Sequence, residues 1–274
     1  MNASTMTTLL DGIQISYMDR PGRDPTIVCM HANSLNKDAF TDLINQDAVS
    51  ANRIVAFDLP GHGESGRSVD QRVYSFRGYG TILAKLIREL DLSDFVLVGV
   101  SLGGHIVLQA AAAERIPRPR GIACFGSPPI GDASDLSRGY LPQPEHLSLF
   151  RGEIDPETAR EIANAMTIEG SVQERTAAAI LATDPTARTA LFASLGSLPL
   201  ENERAFVTST TLPIRLCYDR NEQVVNTDYL SDTGLLQRIP HSIVSYDGAG
   251  HLPRMDVVAD VLGELLSETG TAGG

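Results

Sequence analysis

The 274-residue chain is short of cysteine, of paired histidine, of positive charge and of long apolar runs, and each shortage removes a class of protein. There are only three cysteines, Cys29, Cys124 and Cys217, each inside an apolar stretch. An odd number with no CxxC spacing excludes a disulfide framework and a thiolate zinc site. They read as small buried hydrophobes. The six histidines are scattered, with no HxxxH or HxH pair to converge on a metal, so neither metal nor cofactor is expected. Lys and Arg total 22 against 34 Asp and Glu, a net charge of −12. Such a chain repels phosphate backbones and is not expected to bind nucleic acid. The charge itself needs no role beyond solubility. No apolar run approaches the ~20 residues of a membrane span. Met1 to Thr5 lack the basic and apolar segments of a secretory leader. A cytoplasmic protein with no membrane partner is therefore expected. The sequence carries no signature of oligomeric state.

What is present is a globular composition, 42% hydrophobic and 20% charged, in a length that fits one large domain or one domain with an insertion. Apolar strand-like runs alternate with helical patterns, which predicts an α/β fold with a mostly parallel sheet covered on both faces. The runs are Gly12 to Tyr17, Thr26 to Met30, Arg53 to Asp58, Asp94 to Gly99, Gly121 to Phe125, Leu212 to Tyr218 and Ser242 to Tyr246. The first alternates and reads as an antiparallel strand. Most of the others are near-continuous, as strands buried on both faces are. Helices are predicted over Tyr79 to Leu90, Leu102 to Glu114 and Val257 to Leu266. Residues 128–205 break the rhythm. They lack a buried strand and carry helical stretches at Glu157 to Met166, Val172 to Ala182 and Thr186 to Leu195. Some eighty residues exceed what one crossover needs. They read as a helical lid inserted into a core of residues 1–127 and 206–274. The tail Thr271 to Gly274 is expected to be disordered.

The chemistry sits around Gly99-Val100-Ser101-Leu102-Gly103. Gly-x-Ser-x-Gly alone is a weak signal, but here an apolar strand runs into Gly99 and a helical pattern leaves from Leu102. That is the strand–turn–helix of a nucleophile elbow. The turn strains the serine backbone and demands small neighbours, which Gly99, Gly103 and Gly104 supply. It also aims a helix N-terminus at the serine oxygen. A serine hydroxyl needs a base. His251, in Gly248-Ala249-Gly250-His251, follows the last strand and opens on the same sheet edge. His62 is expected to hold its own turn, His105 to pack against backbone, and His31 to brace its loop. His146 and His241 have no supporting context. The base needs an acid, and Asp219 and Glu222 both follow the strand ending at Tyr218. The residues alone leave both open. Oxyanion donors are expected from the backbone N–H of Leu102 and from the loop His31-Ala32-Asn33-Ser34, with Asn33 chosen. The Asn33 side chain is a second candidate contact for a substrate carbonyl.

These pieces, with Asp58-Leu59-Pro60-Gly61-His62-Gly63-Glu64-Ser65, stand in one order over nearly the whole chain. They resemble the α/β-hydrolase superfamily, which implies an eight-stranded, mostly parallel sheet with helices on both faces and a helical lid. The chain departs at His31-Ala32, where the family usually has His-Gly. More finely, Tyr74 to Tyr79, Ser101 to Ile106, Gly126-Ser127-Pro128-Pro129 and Asp219-Arg220-Asn221-Glu222 are similar to the α/β-hydrolase type of N-acyl-homoserine lactonase. That resemblance implies Glu222 as the triad acid, with Asp219 the alternative.

The expected function is hydrolysis of a small-molecule ester or lactone through an acyl-enzyme, an N-acyl-homoserine lactone first. That activity would make the protein a quorum-quenching enzyme. Phe150, Met166, Leu191 and Phe192 are the lid residues expected to line an acyl channel. The alternatives are a carboxylesterase, thioesterase or C–C bond hydrolase on the same site, a cofactor-free haloperoxidase-like activity, and a non-catalytic small-molecule receptor.

Overall fold

The computed structural model describes residues 3–197 and 199–270, so the expected disordered tail lies outside the described residues. Its elements in chain order begin with strands β1 (Ser4–Leu10), β2 (Ile13–Arg20), β3 (Arg23–Met30) and β4 (Asn52–Phe57). Helix α1 (Phe76–Glu89), strand β5 (Phe95–Val100), helix α2 (Leu102–Ala112) and strand β6 (Ile122–Phe125) follow. Six helices come next: α3 (Ala133–Gly139), α4 (Pro144–Ser148), α5 (Pro156–Met166), α6 (Gly170–Ala182), α7 (Pro185–Ser197) and α8 (Glu203–Ser209). The chain closes with β7 (Ile214–Asp219), α9 (Asp228–Asp232), α10 (Leu235–Arg238), β8 (Ile243–Tyr246) and α11 (Met255–Gly270). Among the described residues no helix is long and apolar enough to cross a membrane.

The eight strands form one sheet in the order β1-β2-β4-β3-β5-β6-β7-β8. β1 and β2 pair antiparallel, β2 pairs antiparallel with β4, and the rest run parallel. The apolar runs feed two cores by strict alternation, because successive side chains leave a strand on opposite faces. Val28, Met30, Val55, Phe57, Phe95 and Leu97 join α1 and α2 on one face. Ile27, Cys29, Ile54, Ala56, Val96 and Val98 join α11 on the other. The stripe Ile82, Leu83, Leu86 and Ile87 buries α1 on the first face. Fully burying one such aliphatic side chain stabilises by ~1.5–3 kcal/mol, so the interleaved pattern fixes the register of the whole sheet. All three cysteines are free and buried in these cores, and burial pushes their thiols up.

β1 was absent from the predicted strands. It is an edge strand with Met6 and Leu9 exposed, so it offers no buried periodicity to detect. α1 begins at Phe76, three residues before the predicted start, where Ser75 caps it by accepting from the Gly78 N–H. The parallel strands all end on one edge, where the loops after β3, β5, β6, β7 and β8 converge. The helices α3 to α8 lie between β6 and β7.

Candidate active site

Ser101 caps α2 with φ 51° and ψ −113°, a conformation that a non-glycine residue adopts only under local compulsion. The surroundings supply it. The Ser101 N–H donates to the Phe125 carbonyl at 2.8 Å, and the Ser127 hydroxyl donates to the Ser101 carbonyl at 2.8 Å. The helix folds back so closely that a Cβ on Gly99 would lie 2.4 Å from the Gly104 nitrogen. Leu102 is the first residue of α2, and the first amides of a helix have no carbonyl partner within it. Its N–H is thus free to meet an oxyanion at the positive end of the helix.

His251 is buried in the loop between β8 and α11. Its Nδ1 faces both carboxylate oxygens of Glu222, each at 3.1 Å. With the proton on Nδ1, Nε2 is left as the basic atom. Burial alone would raise the Glu222 pKa. The His251 charge and hydrogen bond, with the Val224 and Val225 N–H groups, outweigh that and hold the carboxyl below its usual range. Asp219 never reaches the ring. Its two oxygens accept from the Asn221 and Gly250 N–H groups at 2.8 and 3.0 Å, tying the acid loop to the histidine loop. Gly126, with φ +64°, lies beside the imidazole, and a Cβ there would stand 2.7 Å from its Cε1.

Ser101, Leu102, Asn33 and His251 all border one cavity of about 610 Å³. The predicted channel residues Phe150, Met166, Leu191 and Phe192 border it too. Most of the remaining wall is apolar, including Leu136, Leu141, Leu149 and Val224. Phe150 and Phe192 pack ring to ring, with centroids 5.4 Å apart. Phe192 and Leu147 are more than half exposed and mark the mouth. The Asn33 amide is already engaged. Nδ2 donates to the Leu149 carbonyl at 3.3 Å and Oδ1 accepts from the Ser34 hydroxyl, which ties the loop after β3 to the helical segment.

The other histidines divide. His31 Nδ1 donates to the Ala32 carbonyl and Nε2 accepts from the Leu59 N–H, bracing two loops as expected. His62 donates to the Pro60 carbonyl within its own turn. Burial lowers the two rings to about 4 and about 3. His105 does not pack merely on backbone. Its Nδ1 meets buried Glu203 at 2.9 Å and its Nε2 meets the Tyr140 hydroxyl at 2.5 Å, while its ring stacks on Phe76. The partners lie 35 and 98 residues away, so no local pattern announces them. His146, which no motif singled out, borders the cavity with its ring centroid 6.1 Å from that of His251. His241 is exposed.

A strained serine at a strand–helix turn, a carboxylate-backed histidine and an apolar cavity on one sheet edge are the features of a nucleophile-elbow hydrolase. The alpha/beta hydrolase family model matches residues 27–261, and the chain belongs to that family. Among solved structures, the N-acyl homoserine lactonase AidH complexed with N-butanoyl homoserine superposes with a TM-score of 0.83 at 26% identity, covering 97% of this chain and 96% of that one. A putative aryl esterase from Burkholderia cenocepacia shares the fold at 18% identity with a TM-score of 0.79, covering 98% and 100%. Among curated proteins, the non-heme chloroperoxidase CPO-A1 of Kitasatospora aureofaciens is 31% identical over 53% of this chain and 52% of its own length. The 2-succinyl-6-hydroxy-2,4-cyclohexadiene-1-carboxylate synthase of Klebsiella pneumoniae is 30% identical over 47% and 46%. The chain thus spans about half the length of these curated relatives.

Proposed function

We propose that the protein is a serine hydrolase that opens a lactone through an acyl-enzyme, with an N-acyl-homoserine lactone as its first substrate and quorum quenching as the consequence. The observation that carries this reading is that Ser101 and His251, the latter backed by Glu222, border one apolar cavity. Likeness to the lactonase AidH over 97% of the chain supports the substrate class.

In this mechanism Ser101 Oγ attacks the ring carbonyl while His251 Nε2 takes its proton. Glu222 faces the imidazolium that forms. The Leu102 and Asn33 N–H groups hold the oxyanion. His251 returns the proton to the ring oxygen as the carbon–oxygen bond breaks. Water then gives a proton to His251 and its oxygen to the acyl carbon, and the proton passes back to Ser101. Residues 128–205 act as a lid over the core of residues 1–127 and 206–274, and Phe150, Met166 and Phe192 clasp the acyl chain. An open-chain ester is the second substrate class, because acylation of Ser101 requires only a carbonyl with a leaving oxygen.

The test is turnover of p-nitrophenyl butanoate beside mass spectrometry of N-hexanoyl homoserine lactone incubations, with Ser101→Ala as control. The expected result is ring opening of the lactone by the wild type and loss of both reactions in the variant. An unchanged lactone beside rapid ester cleavage would refute the lactonase assignment. Failure of both reactions and of fluorophosphonate labelling would leave a non-catalytic receptor.

A further inference from the structure

A lactone differs from an open-chain ester in one respect that matters after acylation. The alcohol released from a simple ester diffuses away. The hydroxyl released from a lactone stays tethered to the acyl-enzyme, beside the histidine that has just protonated it. Left there, it attacks the acyl carbon and closes the ring again. Net hydrolysis of a lactone therefore needs a group that draws this hydroxyl aside and leaves His251 to water.

His146 is the group the cavity offers for this role. It lies on α4, borders the cavity and is 8% exposed, yet neither ring nitrogen has a hydrogen-bond partner. Leaving a buried polar atom unpaired is unfavourable, so these nitrogens are poised for something that enters the cavity. The His146 and His251 rings are 6.1 Å apart between centroids and tilted by 59°. An oxygen atom hydrogen-bonded at ~2.9 Å to one nitrogen of each ring lies about 4 Å from each centroid, and a separation of 6.1 Å allows that. Burial, with His251 adding to it, lowers the His146 ring to about 4, although Glu222 opposes the shift. A neutral imidazole keeps one nitrogen free to accept a hydrogen bond.

We propose that His146 is a positioning residue for the released hydroxyl, accepting its hydrogen bond and holding it out of line with the acyl carbon while His251 activates water. The inference rests on the lactonase reading above. The proton balance is unchanged. His251 protonates the ring oxygen as that bond breaks, the hydroxyl donates to the unprotonated nitrogen of His146 without transferring its proton, and water supplies the attacking oxygen.

The experiment compares kcat for N-hexanoyl homoserine lactone with kcat for the methyl ester of N-hexanoylglycine, whose alcohol is free to leave. It uses the wild type, His146→Leu, His146→Phe and His146→Gln. The leucine and phenylalanine variants fill the same space without a nitrogen, so one covers a folding failure of the other. The expected result is that the lactone-to-ester ratio falls at least fivefold in His146→Leu or His146→Phe and recovers in His146→Gln, which restores an acceptor. A smaller fall, or no recovery in His146→Gln, overturns the proposal, because a merely structural role would slow both substrates alike. If the wild type cleaves the ester but not the lactone, the lactonase reading itself fails and takes this inference with it.

Discussion

Replacing Glu222 by glutamine removes one negative charge from behind His251 and puts an amide NH2 in place of one of the two oxygens that face Nδ1. The amide oxygen still accepts the Nδ1 proton, so the ring keeps its tautomer and its place. What is lost is the attraction between the carboxylate and the imidazolium that forms as Ser101 attacks. Both side chains are almost wholly buried and 3.1 Å apart, so water does not screen the pair. At an effective dielectric constant of ~20 that attraction is about 5 kcal/mol. Losing it from the transition state lowers kcat by about 10⁴-fold. The neighbouring substitution Asp219→Asn is the control, since Asp219 holds only backbone N–H groups. Its amide turns a donor toward one of them, which costs ~1–3 kcal/mol of loop order, no more than about a hundredfold in rate. The assay is p-nitrophenyl butanoate turnover, normalised to the sites that fluorophosphonate labels. If Asp219→Asn is the slower variant, or Glu222→Gln keeps more than a tenth of the wild-type kcat, the assignment of the acid is wrong.

Three further outcomes are expected. Gly126→Ala places a methyl group 2.7 Å from His251 Cε1, and the displaced ring should cost about a hundredfold in kcat; wild-type rates would show that the loop yields. Tyr140→Phe orphans His105 Nε2 and should destabilise the fold by ~1–3 kcal/mol in urea unfolding, with an unchanged midpoint as the refuting result. Acid should weaken the fold through His31, whose neutral ring is favoured by burial with a pKa of about 4. Because the folded pKa lies below the unfolded value of ~6.5, the unfolded chain binds more protons between those values. Stability is therefore full above about pH 6.5 and falls toward pH 4, by up to about 3 kcal/mol from this residue. Urea midpoints across pH 4 to 7 read the slope, and His31→Gln should make it shallower, with the remainder carried by His62 and His146, whose rings burial lowers in the same way.

Much of the architecture was legible because it is written locally. A run such as Phe95 to Val100 is apolar at every position, which is how a strand covered on both faces reads. The elbow was readable because a tight turn needs small residues at fixed offsets, and Gly99, Gly103 and Gly104 sit at those offsets. The base was found because strand, glycine loop and histidine follow one another in order. None of these inferences required knowing which strands are neighbours.

The choice between Asp219 and Glu222 was of another kind. The two lie three residues apart in one turn, and the residues by themselves left both open, although the family resemblance favoured Glu222. Which carboxylate meets the ring depends on how that turn lies against a loop 29 residues further on, and the folded chain puts Glu222 there. His146 and the Glu203–His105–Tyr140 chain were invisible for the same reason, since their partners are distant in sequence and carry no motif. The Ser101 elbow was determined by the sequence itself, because a strained turn depends on the residues inside it. The cavity above it was decided only in three dimensions, because a wall is made by side chains that the chain brings together from far apart.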